Sequence, residues 1–154
     1  MPLFLILLLY IVIGVLAAGG AIAISTRQLS AKAEQILYGL LLTPIAAIYL
    51  AFTAHFAVTE AWRIETVGVV LFAGLGLIGI RLPAFLMIGY VGHGAWDLVH
   101  EVALYQGTAV IRLGPVTAIP LAYGAFCAAF DWCMVGYFYT QLARWKTAWV
   151  RTVA

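Results

Sequence analysis

Asparagine is absent from this 154-residue chain, which leaves no acceptor for N-linked glycosylation. Serine occurs only as Ser25 and Ser30, in one polar stretch remote from every histidine, and that argues against a serine-nucleophile hydrolase. The two cysteines, Cys127 and Cys133, stand six apart in one apolar block and point to different helix faces, which excludes an ordinary local disulfide. Charged residues make up 9% of the chain and the net charge is +2, with no basic run interleaved with aromatics before the C-terminus. Nucleic acid is therefore not an expected partner. There is no H-E-x-x-H pair and no phosphate-cradling glycine loop in a suitable setting.

What is abundant is hydrocarbon. Hydrophobic residues make up 66% of the chain, and they arrive in blocks of about 20, the length that spans a core near 30 Å thick. An open sheet cannot satisfy its backbone in lipid, and no alternating barrel strands are visible. The expected fold is all-α: a polytopic membrane bundle of five transmembrane helices, forming one domain over 1–154.

The first block runs from Pro2 to about Ile24 and is too long for the apolar core of a signal peptide. A polar connector, Ser25 to Gln35, follows. The second block, Ile36 to about Thr59, contains Pro44 as a kink and ends in a solvated stretch with Glu60, Arg63 and Glu65. The third, Thr66 to Ile80, is short; it either spans upright with Arg81 snorkelling or forms a re-entrant hairpin. Its Gly74-Leu75-Gly76-Leu77-Ile78-Gly79 matches a dinucleotide fingerprint by letter, but with no strand before it the glycines read as close helix contacts. The fourth block is Leu82 to Tyr105, and a connector to Gly114 leads to the fifth, Pro115 to about Leu142, followed by a basic, aromatic tail.

Five crossings put Arg27, Lys32, Arg81, Arg144, Lys146 and Arg151 on one side and only Arg63 and Arg112 on the other. The asymmetry predicts a cytoplasmic C-terminus and an outer N-terminus.

Within the fourth block, Gly92-His93-Gly94-Ala95-Trp96-Asp97-Leu98-Val99-His100-Glu101 places four ionisable groups in a membrane helix, where each is unfavourable by a few kcal/mol without a partner. His93, Asp97 and His100 fall within an arc of roughly 60° on that helix. Imidazoles and carboxylates at this spacing suit a divalent metal, zinc or iron. One helix seldom completes a site, so His55 is the expected ligand from another helix, with Glu60 and Asp131 behind it. Glu101 or Asp131 would carry protons, and the substrate would be lipophilic. Three other readings stay open: hydrogen-bonding glue between helices, a haem or chlorophyll-type pigment on His93 or His55 in a larger membrane complex or homo-oligomer, and transport through the acidic and histidine side chains.

The segment from Gly92 to His100, in a chain of this size, resembles a family of small bacterial integral-membrane proteins of unknown function. That resemblance implies a shared site on this helix and an inner-membrane location. His93 and Asp97 are more loosely similar to the zinc-dependent membrane hydrolases of the ceramidase and adiponectin-receptor group. From that pattern the chain departs in having fewer helices, no suitably placed serine and no terminal H-x3-H pair.

Overall fold

The computed structural model describes residues 2–106 and 115–150. Five α-helices and one 3-10 turn lie among them: α1 (Leu3–Gln28), α2 (Ala31–His55), the 3-10 turn (Thr59–Ala61), α3 (Trp62–Gly79), α4 (Pro83–Gln106) and α5 (Tyr123–Val150). Three segments are long and apolar enough to cross a membrane: α1, α2 and the stretch Thr59–Gly79. Among the described residues the structure is thus all-helical, with three such helices rather than the five expected. The shortfall has a cause in composition. α4 carries His93, Asp97, His100 and Glu101, and α5 carries Asp131, Arg144 and Lys146, so both are less apolar although they run 24 and 28 residues.

Several boundaries differ from expectation. The connector after α1 shrinks to Leu29 and Ser30, because the Ser30 hydroxyl accepts the Ala33 N–H and starts α2 at once. Glu34 and Gln35 are consequently buried in a helix instead of solvated in a loop. Pro44 lies inside a continuous α2. α3 is one unbroken helix, so the third block is not a re-entrant hairpin. α5 begins at Tyr123, not Pro115, and residues 115–120 lie outside any helix or strand and lead to a turn at Leu121 and Ala122. Arg112 and Arg151 lie outside the described residues.

α5 packs between α1 and α4, α3 bridges α4 and α2, and α1 barely touches α2, its neighbour in sequence. Two tyrosines, Tyr38 and Tyr90, fill the centre with Leu42, Leu86, Met134, Phe138 and Trp145. Outside, Phe4, Leu16, Val70, Leu77 and Ile88 are exposed. Inside, five of the six acids are buried: Glu34, Glu65, Asp97, Glu101 and Asp131. Apolar outside and acidic inside is the arrangement a lipid solvent selects.

Glycines set the helix spacings that allow this. A Cβ on Gly39 would fall 2.7 Å from the Gly76 carbonyl oxygen, so α2 and α3 cross backbone to backbone there, while Gly79 seats against Leu86 where the chain turns into α4. Gly76 and Gly79 are therefore close-contact glycines, whereas Gly74 faces open space. We expect Gly76→Ala to destabilise the bundle by about 1–3 kcal/mol through overpacking. Gly74→Ala should be neutral or slightly stabilising, because alanine favours helix by roughly 0.5–1 kcal/mol over glycine. Thermal unfolding of the two variants in detergent checks the contrast.

Candidate metal centre

The three acidic and histidine residues that the structure gathers most tightly are His93, Asp97 and Asp131, all buried, each offering one ligand atom within 4.8 Å of the others. His93 and Asp97 stand one turn apart on α4, and Asp131 comes from the antiparallel α5. The approach is permitted by Gly124, where any Cβ would collide with the Asp97 carbonyl oxygen and would lie 2.9 Å from Glu101 Cβ.

His93 Nδ1 lies 2.7 Å from Asp131 Oδ2 and 3.2 Å from Asp97 Oδ2. One ring proton cannot satisfy both carboxylates. Asp97 Oδ1 accepts a hydrogen bond from the Tyr49 hydroxyl of α2. Asp97 Oδ2 and His93 Nε2 are buried and have no hydrogen-bond partner. Such orphaned polar atoms are uncommon in a native interior and call for an explanation such as an ion. The rings of Phe72 and Tyr49 close around His93, with centroids 5.0 and 6.1 Å away.

Of the other expected site residues, the structure places His100 in a separate pair. Its Nδ1–H donates to the Trp96 carbonyl at 2.9 Å, and its Nε2 lies 2.9 Å from Glu65 Oε1. Glu65 Oε1 also accepts the Thr117 N–H at 2.9 Å, so Glu65 is a buried partner of α4 and not part of a solvated loop. Tyr49 joins the two groups in space, stacked on His100 at 4.1 Å while bonded to Asp97.

His55 does not reach the cluster. It is exposed at the end of α2 with its ring against Phe56, about 9 Å along the helix from Tyr49, the residue that α2 does contribute. Glu60 is also exposed. Glu101 caps another helix: its carboxylate accepts N–H groups of Ala122, Gly124 and Ala125 at 2.9–3.3 Å, and the Tyr105 hydroxyl at 2.7 Å. An anion at a helix start is held by the unpaired amides and the helix dipole. These bonds occupy both oxygens, so Glu101, expected as a proton carrier, is bonded to the start of α5 and not to the His93 cluster. Asp131, by contrast, meets His93 as expected.

Sequence reasoning missed Tyr49, and only weak signal existed for it. A tyrosine in an apolar helix usually packs, and nothing in its spacing reveals that α2 turns it toward α4.

A cavity of about 290 Å³ adjoins the cluster, with His93 and Asp131 in its lining beside Leu41, Ile45, Ile48, Phe126 and Phe130. Fold and site together define a helical protein with three helices long and apolar enough to cross a membrane and a buried histidine–carboxylate cluster. Residues 9–144 match a family of unknown function, DUF6010, and the chain belongs to that family. No curated protein and no solved structure matches it.

The capping role of Glu101 is open to direct measurement. Glu101→Ala should leave buried amides at the α5 start without an acceptor, lowering stability by about 1–3 kcal/mol for each one that water does not reach. Faster hydrogen exchange confined to residues 122–125 would accompany the loss, and unchanged exchange there would refute the anchor.

Proposed function

We propose that this chain is a five-crossing integral membrane protein whose His93, Asp97 and Asp131 bind one divalent metal, zinc or iron, for catalysis on a lipophilic substrate. The observation that carries the reading is the pairing of two buried carboxylates against a single imidazole nitrogen, with Asp97 Oδ2 and His93 Nε2 left without partners. Two carboxylates and one imidazole buried together in a low-dielectric interior are the donor set a divalent cation takes. Three protein ligands leave a further position on the ion for water or substrate. When bound, the metal supplies Lewis-acid chemistry or a nucleophile made from coordinated water. The chain's own residues orient the ligands: Tyr49 fixes Asp97 Oδ1 so that Oδ2 faces His93, and the rings of Phe72 and Tyr49 exclude solvent.

Crossing by α4 and α5 is supported by their length, about 36 and 42 Å at 1.5 Å per residue, and by their packing against the apolar helices. A cytoplasmic C-terminus is supported by a cation cluster at one end of the bundle. Lys32 Nζ and the Arg81 guanidinium both lie over the Trp149 ring, 4.1 and 4.0 Å from its centroid, and Arg144 pairs with Glu34 at 3.0 Å. Positive residues gathered on one face follow the rule for the cytoplasmic side. Axial ligation of a haem or pigment by His93 is disfavoured by the rings packed around it.

Metal analysis of the purified protein tests the reading. Near-stoichiometric zinc or iron is expected in the wild type, with loss in His93→Ala and Asp131→Asn and retention in His55→Ala. A Soret band, or metal content unchanged by both site variants, would sink it. Tyr49→Phe should weaken metal affinity by about 10–100-fold without abolishing it, the usual effect of removing a group that orients a ligand, as read by competition with a chelator.

A further inference from the structure

Depth decides which part of a lipid meets His93. The residue lies ten positions from the start of α4, about 15 Å at the helical rise. The α4 start adjoins Arg81, at the end of the bundle where the cations gather around Trp149. In a hydrocarbon core about 30 Å thick, His93 is then at mid-bilayer. A charged or zwitterionic headgroup is strongly disfavoured there.

The adjoining cavity is walled almost wholly by carbon, with Leu41 and Ile45 from α2 and Phe126 and Phe130 from α5, its polar side chains being His93, Asp131, Tyr123 and Cys127. Its volume of about 290 Å³ sits at the small end of ligand pockets, roughly 300–1,000 Å³. That suits one hydrocarbon chain and not a whole two-chain lipid. The cavity also has a side exposed to the bilayer. α1 contributes only Ala17 to it, and the polar contacts of α1 with α2, Ser25 to Glu34 and to Tyr38 and the Tyr38 hydroxyl to the Ala21 carbonyl, all lie on the Leu29–Ser30 side of Ala17. Farther along, at the level of Ala17 and Ile45, little contact closes the two helices together.

We propose that the cavity admits a single hydrocarbon chain sideways between α1 and α2, so that a position within the chain, and not the headgroup, meets His93 and Asp131. The cavity stands independently of the metal; that the chain is the substrate rests on the metal-centre reading above. The chain belongs either to a bilayer phospholipid or to a free fatty acid, which present the same chemistry to these walls.

The test uses full-length protein in phosphatidylcholine nanodiscs doped with phosphatidylcholine or fatty acid carrying a diazirine either mid-chain or beside the carboxyl carbon. After irradiation, the mid-chain probes should label the 126–130 segment of α5 and the 41–48 segment of α2, and the carboxyl-proximal probes should not. Ile45→Trp and Ala17→Trp fill the cavity from different helices. Each should cut labelling about tenfold, as expected from excluding roughly two methylenes, with metal content retained. Labelling by the phospholipid alone or by the fatty acid alone supports the proposal and assigns the chain's source. Equal labelling from both diazirine positions, or labelling unchanged in both variants, overturns it. Metal-free protein that still labels at mid-chain would refute the metal centre and leave the chain site standing; metal-loaded protein that does not label would do the reverse.

Discussion

A carboxylate taken out of water must be given donors, a cation or a proton, because its desolvation is otherwise far too costly. This bundle buries five of them, and most of its internal organisation follows from how each is accommodated. Glu34 receives the Ser25 and Tyr137 hydroxyls and the Trp145 indole N–H, and pairs with Arg144, tying the start of α2 to α1 and the end of α5. Glu65 holds His100 and the Thr117 amide, fastening α3 to α4 and to the chain before α5. Glu101 holds the start of α5 itself. Each glutamate works as a fixed post to which two or more segments are tied.

The two aspartates differ in kind. Asp97 and Asp131 converge on one nitrogen of His93, and their set of partners is incomplete in a way that none of the helix-tying groups matches within a single cluster. Glu65 also has one free oxygen, but its other oxygen takes two partners. Structural glue would be expected to close its hydrogen bonds, since a half-satisfied buried network is less stable than an apolar core. The unpartnered atoms at His93 and the apolar cavity beside it therefore make up the candidate site, while the glutamates tie helices together.

Much of the fold was legible in the residues. The blocks of about 20 apolar positions marked every helix, and the run from His93 to Glu101 marked the helix that carries the site. Helix ends were less legible. Ser30 caps α2 so early that Glu34 and Gln35 pass from loop to interior, and the non-helical 115–120 stretch is as apolar as the helix it precedes. α4 and α5 turn their acids and histidines inward, and that polar content keeps both below the apolar level of the three helices long and apolar enough to cross a membrane.

The sequence by itself determined the helical class, the apolar exterior and the one helix on which His93 and Asp97 share a face, because each of these depends on periodicity within a single segment. Which other helices complete the cluster was decided only by tertiary packing. His55 and Tyr49 lie on the same helix and only the latter turns toward Asp97; Glu101 and Asp131 are both acids, yet one caps α5 and the other faces His93. The physical reason is that register between helices is set by where glycines such as Gly39, Gly76 and Gly124 let backbones touch, and a shift of one or two turns exchanges every partner across the interface.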